Sequence, residues 1–206
     1  MDIKKHYQSL LDKNGISPEA LQYTSKSSQY KRFEVLLNID NNIESLIDVG
    51  CGLGDMYQYL MTQNFQGNYL GLDFVEDFVR LSKDIYKNYS KADFQEFDIT
   101  RDEIPSGVDF VLLSGVFNNK RNNNKEFMLN TIKKMFNSAE KGVAFNALST
   151  YVDYQDEHLY YSNPLDVFDF CKKEITSKVV LKHDYLVKEN SIPFEYTVYL
   201  YKECYS

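Results

Sequence analysis

The chain lacks tryptophan, is poor in cysteine and histidine (three of each), and has fewer basic than acidic residues. It also has no apolar run of membrane-spanning length. The cysteines, Cys51, Cys171 and Cys204, are odd in number and far apart. They form no disulfide framework and point to a reducing compartment. No CxxC pair or Cys/His cluster has metal-ligand spacing, so no metal is expected. The opening stretch MDIKKHYQSLLDKNG has no long apolar core of the secretory kind, and a cytoplasmic location is the expectation. Lys and Arg number 23 against 30 Asp and Glu, for a net charge of −7. That excludes a broad nucleic-acid footprint, which needs a basic face. It leaves room for a small anionic substrate held by a few local cations.

What is present is ordinary in bulk and unusual in detail. Hydrophobic residues make up 43% and charged residues 26% of the 206 positions, which fits one globular domain with a full core. There are 17 Tyr and 14 Phe. So many phenols must be partly exposed or find partners. No internal repeat or low-complexity linker interrupts the chain.

The apolar pattern predicts a short amphipathic helix over 3–13, stopped by Asn14-Gly15. Ser17-Pro18-Glu19 reads as a second helix start, with one bent helix or two running to Leu37. From Ser45 the pattern alternates. Strands are expected at 45–49, 68–73, 91–97, 108–113 and 142–148. Helices are expected at 55–63, 75–89, 124–138 and 163–176. Two β-rich segments, 177–186 and 194–202, close the chain and suit an antiparallel hairpin at a sheet edge. Strand–helix alternation of this kind implies an α/β fold with parallel strands and helices on both faces.

The first strand-to-helix turn is Asp48-Val49-Gly50-Cys51-Gly52-Leu53-Gly54-Asp55. Alternate glycines let the backbone take positive φ and let a ligand come close. A Walker loop is excluded because no Lys-Ser or Lys-Thr follows. The dinucleotide pattern GxGxxG also fails: its third glycine would fall on Asp55 or Tyr57. Asp55 at the helix start would repel a pyrophosphate, and Asp48 ends the strand. A cationic cofactor without phosphate fits better, and S-adenosylmethionine is such a molecule.

The stretch LIDVGCGLGD resembles motif I of the class I S-adenosylmethionine-dependent methyltransferases. YLGLDFVEDFV resembles their second motif, with Asp73 in the place of the acid that bonds both ribose hydroxyls and Phe74 after it, against adenine. ADFQEFDI resembles the third, with Asp98, followed by Ile99, beside the adenine amino group. VDFVLLSGVFN resembles the fourth, with Ser114 bordering the methyl group. The resemblance runs from about Gln29 to the C-terminus. It implies a Rossmann-like, seven-stranded, mostly parallel sheet of order 3-2-1-4-5-7-6. It also implies one methyltransferase domain over 1–206: a helical segment at 1–42, a core at 43–206, and an acceptor-side loop at 149–163. SSQYKRFEVLL is similar to a helix in small bacterial members, some of them surface-polysaccharide or sugar-modifying enzymes.

The expected cofactor contacts are therefore Asp48, Gly50, Cys51, Gly52, Gly54, Asp55, Asp73, Phe74, Asp98, Ile99 and Ser114. Asp73 also suits a helix N-cap, and Asp98 an ordinary turn. Arg32 is either part of a solvated helix face or a bidentate partner for the methionine carboxylate, with Gln29 one turn earlier. The loop STYVDYQDEHLYYSN follows the fifth strand on the ligand side. Tyr151, Tyr154, Tyr160 and Tyr161 there, with Asn118 after the fourth strand, are the candidate acceptor contacts. His158 is the candidate general base, with Asp153 as a carboxylate alternative; His6 and His183 are weaker. Lys120 and Arg121 suit either a solvated loop or an anionic group on the acceptor. The function expected is methyl transfer to a hydroxyl or amine of a small molecule, such as a sugar, by a monomer or homodimer. A non-catalytic binding module and a NAD(P) oxidoreductase are the alternatives.

Overall fold

The computed structural model describes residues 3–15 and 25–202. Helix α1 spans Ile3–Asn14, as its periodicity predicts. The expected helix start at Ser17-Pro18-Glu19 lies outside the described residues. Helix α2 is Lys26–Leu37. Ser25 caps it, its hydroxyl accepting from the Ser28 amide at 3.2 Å, which satisfies one orphan donor of the first turn.

The core alternates as expected. Strands β1 (Ser45–Val49), β2 (Asn68–Asp73), β3 (Ala92–Glu96), β4 (Val108–Leu113) and β5 (Ala139–Ser149) are linked through α3 (Asp55–Thr62), α4 (Glu76–Tyr86) and α5 (Asn124–Ser138). A two-residue strand β6 (Tyr161–Ser162), helix α6 (Pro164–Glu174), β7 (Val179–Lys182) and β8 (Glu195–Tyr201) follow. The sheet order is β3-β2-β1-β4-β5-β8-β7. Only β8 runs antiparallel to its neighbours, β5 and β7. This is the expected order with β6 added: the short strand pairs with β5 off the main path. Helix α4 ends three residues early, because 87–91 turn into β3, with the Ala92 amide donating to the Tyr89 carbonyl.

Strand alternation divides the core. Ile47, Val49, Val111, Leu113, Val143 and Phe145 pack against Phe127, Met128, Ile132 and Met135 of α5 and Val167 and Cys171 of α6. Leu46, Phe110, Leu112 and Ala144 face the other way, onto Phe33 and Leu36 of α2, Met56, Tyr57 and Leu60 of α3, and Tyr86 of α4. Helix α1 sits apart from both layers. Its Leu11 is buried with Leu53, Val75 and Phe78, and Tyr7 packs on the same cluster. That position is beside the carboxyl ends of β1 and β2.

Candidate active site

The strand order reverses between β1 and β4, so a crevice opens beyond their carboxyl ends. A cavity of about 280 Å³ lies there. Its floor is the glycine turn. Gly50 and Gly52 have φ of 78° and 55°, the region where an L side chain is strained. A Cβ on Gly50 would lie 2.3 Å from Val116 Cγ2, in the turn after β4. Gly54 has another task. It takes φ 78° as the N-cap of α3, and a Cβ there would meet Tyr86 and Phe94 at 2.6 and 2.9 Å. Its closeness serves packing behind the turn, and it is not on the cavity wall.

Asp73 holds the turns on either side of it rather than capping α4, whose N-cap is Val75 with no side-chain cap bond. Its Oδ1 accepts from the Val75 amide and its Oδ2 from the Gly52 amide, both at 2.9 Å. It thus pins the glycine turn to the segment leading into α4 while facing the cavity. Burial pushes its carboxyl up to about 6, against the pull of those backbone donors. Asp48 receives the Tyr69 hydroxyl at 2.7 Å. Burial, with Asp73 and Asp55 adding, pushes it up to about 7 despite that bond. Asp55 is raised by burial and held by Gln29 Nε2 at 3.2 Å and by nearby Lys26. Gln29 is 1% exposed, and its Oε1 has no partner among the described residues. Three carboxylates and an orphan acceptor on one wall make a site for positive charge and hydrogen-bond donors. Cys51, Phe74 and Ser114 line the same cavity.

Arg32 also reaches the cavity, but its guanidinium is committed elsewhere. Nε bonds both carboxylate oxygens of Glu195 at 2.9 and 3.0 Å, Nη2 also bonds Glu195, and Nη1 donates to the Ser28 carbonyl at 3.1 Å. Glu195, on β8, is fully buried. The anion beside Arg32 is thus supplied by the protein itself. Nothing near Arg32 in sequence signals this.

Asp98 and Ile99 stand off the cavity wall. Asp98 closes its own turn, accepting from the Thr100 amide at 2.9 Å, from Thr100 Oγ1 at 2.6 Å and from Arg101 Nε at 2.9 Å. Burial raises its carboxyl, but the Thr100 and Arg101 bonds outweigh that and leave it lowered. Ile99 packs against the α5 core layer.

The 149–163 loop lies differently from a lid. His158 is 84% exposed beside Glu157 and is off the cavity wall, as are the exposed Tyr151 and Tyr154. Tyr161 lies in β6, its hydroxyl accepting from the Asp156 amide. Tyr160 faces a neighbouring groove. Leu159 is what this loop adds to the cavity. The loop is tied down: the Lys120 amide donates to the His158 carbonyl at 3.3 Å, and the Tyr160 amide to the Asn118 carbonyl at 2.8 Å.

The far wall joins Asn118 of the fourth motif and Arg121 after it, both candidates from the sequence, to residues that no motif singled out. Leu148, Leu159, Val187 and Phe194 are apolar, and Asn118, Arg121 and Lys188 polar. Asn118 Oδ1 and Arg121 Nε are buried without partners among the described residues. Asn119 is buried and donates to the Tyr7 hydroxyl at 2.8 Å, drawing α1 against the site.

Comparison with known proteins agrees with this geometry. Residues 47–138 match the family model described as a methyltransferase domain. A candidate methyltransferase of Mycobacterium tuberculosis, Rv1506c, is 30% identical over 154 residues, covering 72% of this chain and 90% of that protein. Magnesium protoporphyrin IX methyltransferase from Synechocystis PCC 6803, solved with bound S-adenosylmethionine, superposes with a TM-score of 0.68 at 12% identity over 98% of both chains. The S-adenosylmethionine-dependent methyltransferase SibL in its apo form gives 0.66 at 14% identity, over 94% of this chain; the chain spans 60% of SibL. At such identities the two structures speak to the fold alone.

Proposed function

The chain belongs to the class I S-adenosylmethionine-dependent methyltransferases, and we propose on that premise that it methylates a hydroxyl or amine of a small acceptor, such as a sugar or cell-surface precursor. The observation that carries the reading is the acidic glycine wall, with Asp73 fixed between the Gly52 and Val75 amides and Gln29 Oε1, without a partner among the described residues, on the same wall. When bound, the cofactor supplies an electrophilic methyl carbon to a nucleophile. Asp73 keeps lone pairs for the ribose hydroxyls, because the backbone amides of Gly52, Phe74 and Val75 leave part of its acceptor capacity unused. Asp48, Asp55 and Gln29 Oε1 face the cationic end. Phe74 offers a ring to adenine, and Ser114 borders the reacting end. Across the cavity, Leu148, Leu159 and Phe194 exclude water and orient the acceptor. Asn118 Oδ1 accepts a hydrogen bond from its hydroxyl or amine.

We place the reaction in the cytoplasm, by a monomer or homodimer acting on a small molecule rather than nucleic acid. The net charge of −7 and the free, buried Cys51 and Cys171 support this. No helix among the described residues is long and apolar enough to cross a membrane.

Two measurements test the reading. Calorimetric titration with S-adenosylhomocysteine, with NAD as control, is expected to show micromolar binding of the first and none of the second. Incubation with methyl-labelled cofactor and the small-molecule fraction of a cell extract is expected to place label on oxygen or nitrogen. Binding without transfer to any small molecule would make the chain a binding module; a response to NAD alone would overturn the cofactor.

A further inference from the structure

A second groove, lined by residues 120–126, Leu129, Asn130, Lys133, Tyr160 and Phe170, adjoins the cavity. Arg121 lines both. In a chain of net charge −7 this groove carries four cationic side chains, Lys120, Arg121, Lys125 and Lys133, against one carboxylate, Glu126. Arg121 is positioned by packing: its guanidinium carbon sits 3.6 Å from the centre of the Phe127 ring, and its backbone amide donates to Asn124 Oδ1 at 2.7 Å. Its buried Nε has no partner among the described residues, leaving a donor that a bound anion would satisfy. Asn123 gives α5 no side-chain cap, so the positive end of that helix adds to the groove. Lys133 lies over the Phe170 ring at 5.2 Å, and Tyr160 stands beside them.

We propose that the methyl acceptor carries a phosphate or diphosphate group, seated in this groove and gripped by Arg121, while the acceptor's nucleophilic end enters the cavity. The excess of cations over the lone carboxylate calls for more than one negative charge. The flat Arg121 guanidinium suits bidentate binding of a phosphate. The assignment rests on the methyltransferase reading above and adds the chemical class of acceptor to it.

The test titrates inorganic pyrophosphate into protein saturated with S-adenosylhomocysteine, at fixed ionic strength. Wild type is compared with the exposed double charge reversal Lys125→Glu/Lys133→Glu, with Arg121→Gln, and with the distant Lys83→Glu on α4. The expected result is one bound pyrophosphate per wild-type chain, affinity at least about tenfold weaker in the groove variants, and no change in Lys83→Glu. The double variant keeps its S-adenosylhomocysteine affinity. Absence of pyrophosphate binding, or equal weakening by Lys83→Glu, would overturn the acceptor assignment and leave the cofactor reading standing. Failure of wild type to bind S-adenosylhomocysteine would remove the methyltransferase reading and this assignment with it.

Discussion

The two walls of the cavity are built by different means. The cofactor wall comes from strand ends and the turns that follow them. Asp48, Gly50, Gly52 and Asp55 lie within eight residues on and after β1, and Asp73 ends the adjacent β2. Its carboxylates are held by backbone amides, a buried tyrosine and Gln29, whose own Oε1 has no partner among the described residues. The opposite wall is assembled from the turn after β4, the end of β5, and residues before and at the start of β8. It is largely apolar, and two of its polar atoms, Asn118 Oδ1 and Arg121 Nε, have no partner among the described residues. One wall has its carboxylates held by the protein's own donors. The other leaves polar side-chain atoms for which the described residues supply no partner.

The sharpest way to break this contrast lies at Arg32. If the Glu195 pair is structural, Arg32→Met leaves a fully buried carboxylate without its cation and costs about 3–5 kcal/mol of stability, read by urea unfolding. S-adenosylhomocysteine affinity in the surviving folded protein would change little. A loss of affinity with stability intact would move Arg32 to the cofactor wall. Next in size is Asp73→Ala. Removing an ionised acceptor of two ribose hydroxyls is expected to weaken S-adenosylhomocysteine roughly a hundredfold, about 2.7 kcal/mol, by calorimetry. A change under threefold would leave Asp73 with the Gly52 and Val75 amides as its only task.

The acidic wall also predicts a pH dependence. Asp48 and Asp73 are raised from 3.8 to about 7 and about 6. In the cofactor-free protein their contribution to stability is therefore fully present below the unfolded value, and it is lost as pH rises through about 6 and 7. Cofactor binding favours the ionised forms. Affinity for S-adenosylhomocysteine should thus rise by about tenfold between pH 5.5 and 7.5, with proton release on binding seen as a buffer-dependent heat. A flat profile would mean that these carboxylates do not face the ligand's donors. The smallest effect is expected at His158. Exposed and off the cavity wall, it should change labelled-methyl transfer by less than twofold on substitution by Ala; a hundredfold loss would bring the loop over the site during turnover.

Much of the cofactor wall was legible because its signals are local. The turn from β1 to α3 needs glycine where φ is positive, and the strand period brings Asp48 and Asp73 to the strand ends. The same local reading did not show that Gly54, Asp98 and the tyrosines of the 149–163 loop lie off the cavity wall. A motif marks a glycine or an acid without telling which neighbour occupies its free side. For Gly54 that neighbour is the Tyr86–Phe94 pair, and for Asp98 it is Thr100 and Arg101.

The sequence by itself determined the parallel α/β alternation, the acidic glycine turn and the family, since each rests on period, spacing or a contiguous motif. Only the tertiary structure decided that Arg32 meets Glu195, 163 positions away, and that Tyr7 meets Asn119, 112 positions away. It alone showed that Arg121 joins the cavity to a basic groove. The physical reason is that such contacts are set by the crossing of β8 beside β5 and the docking of α1 and α2 on the sheet. Their stability comes from burying and pairing polar groups together, and neither partner shows this in its own stretch of chain.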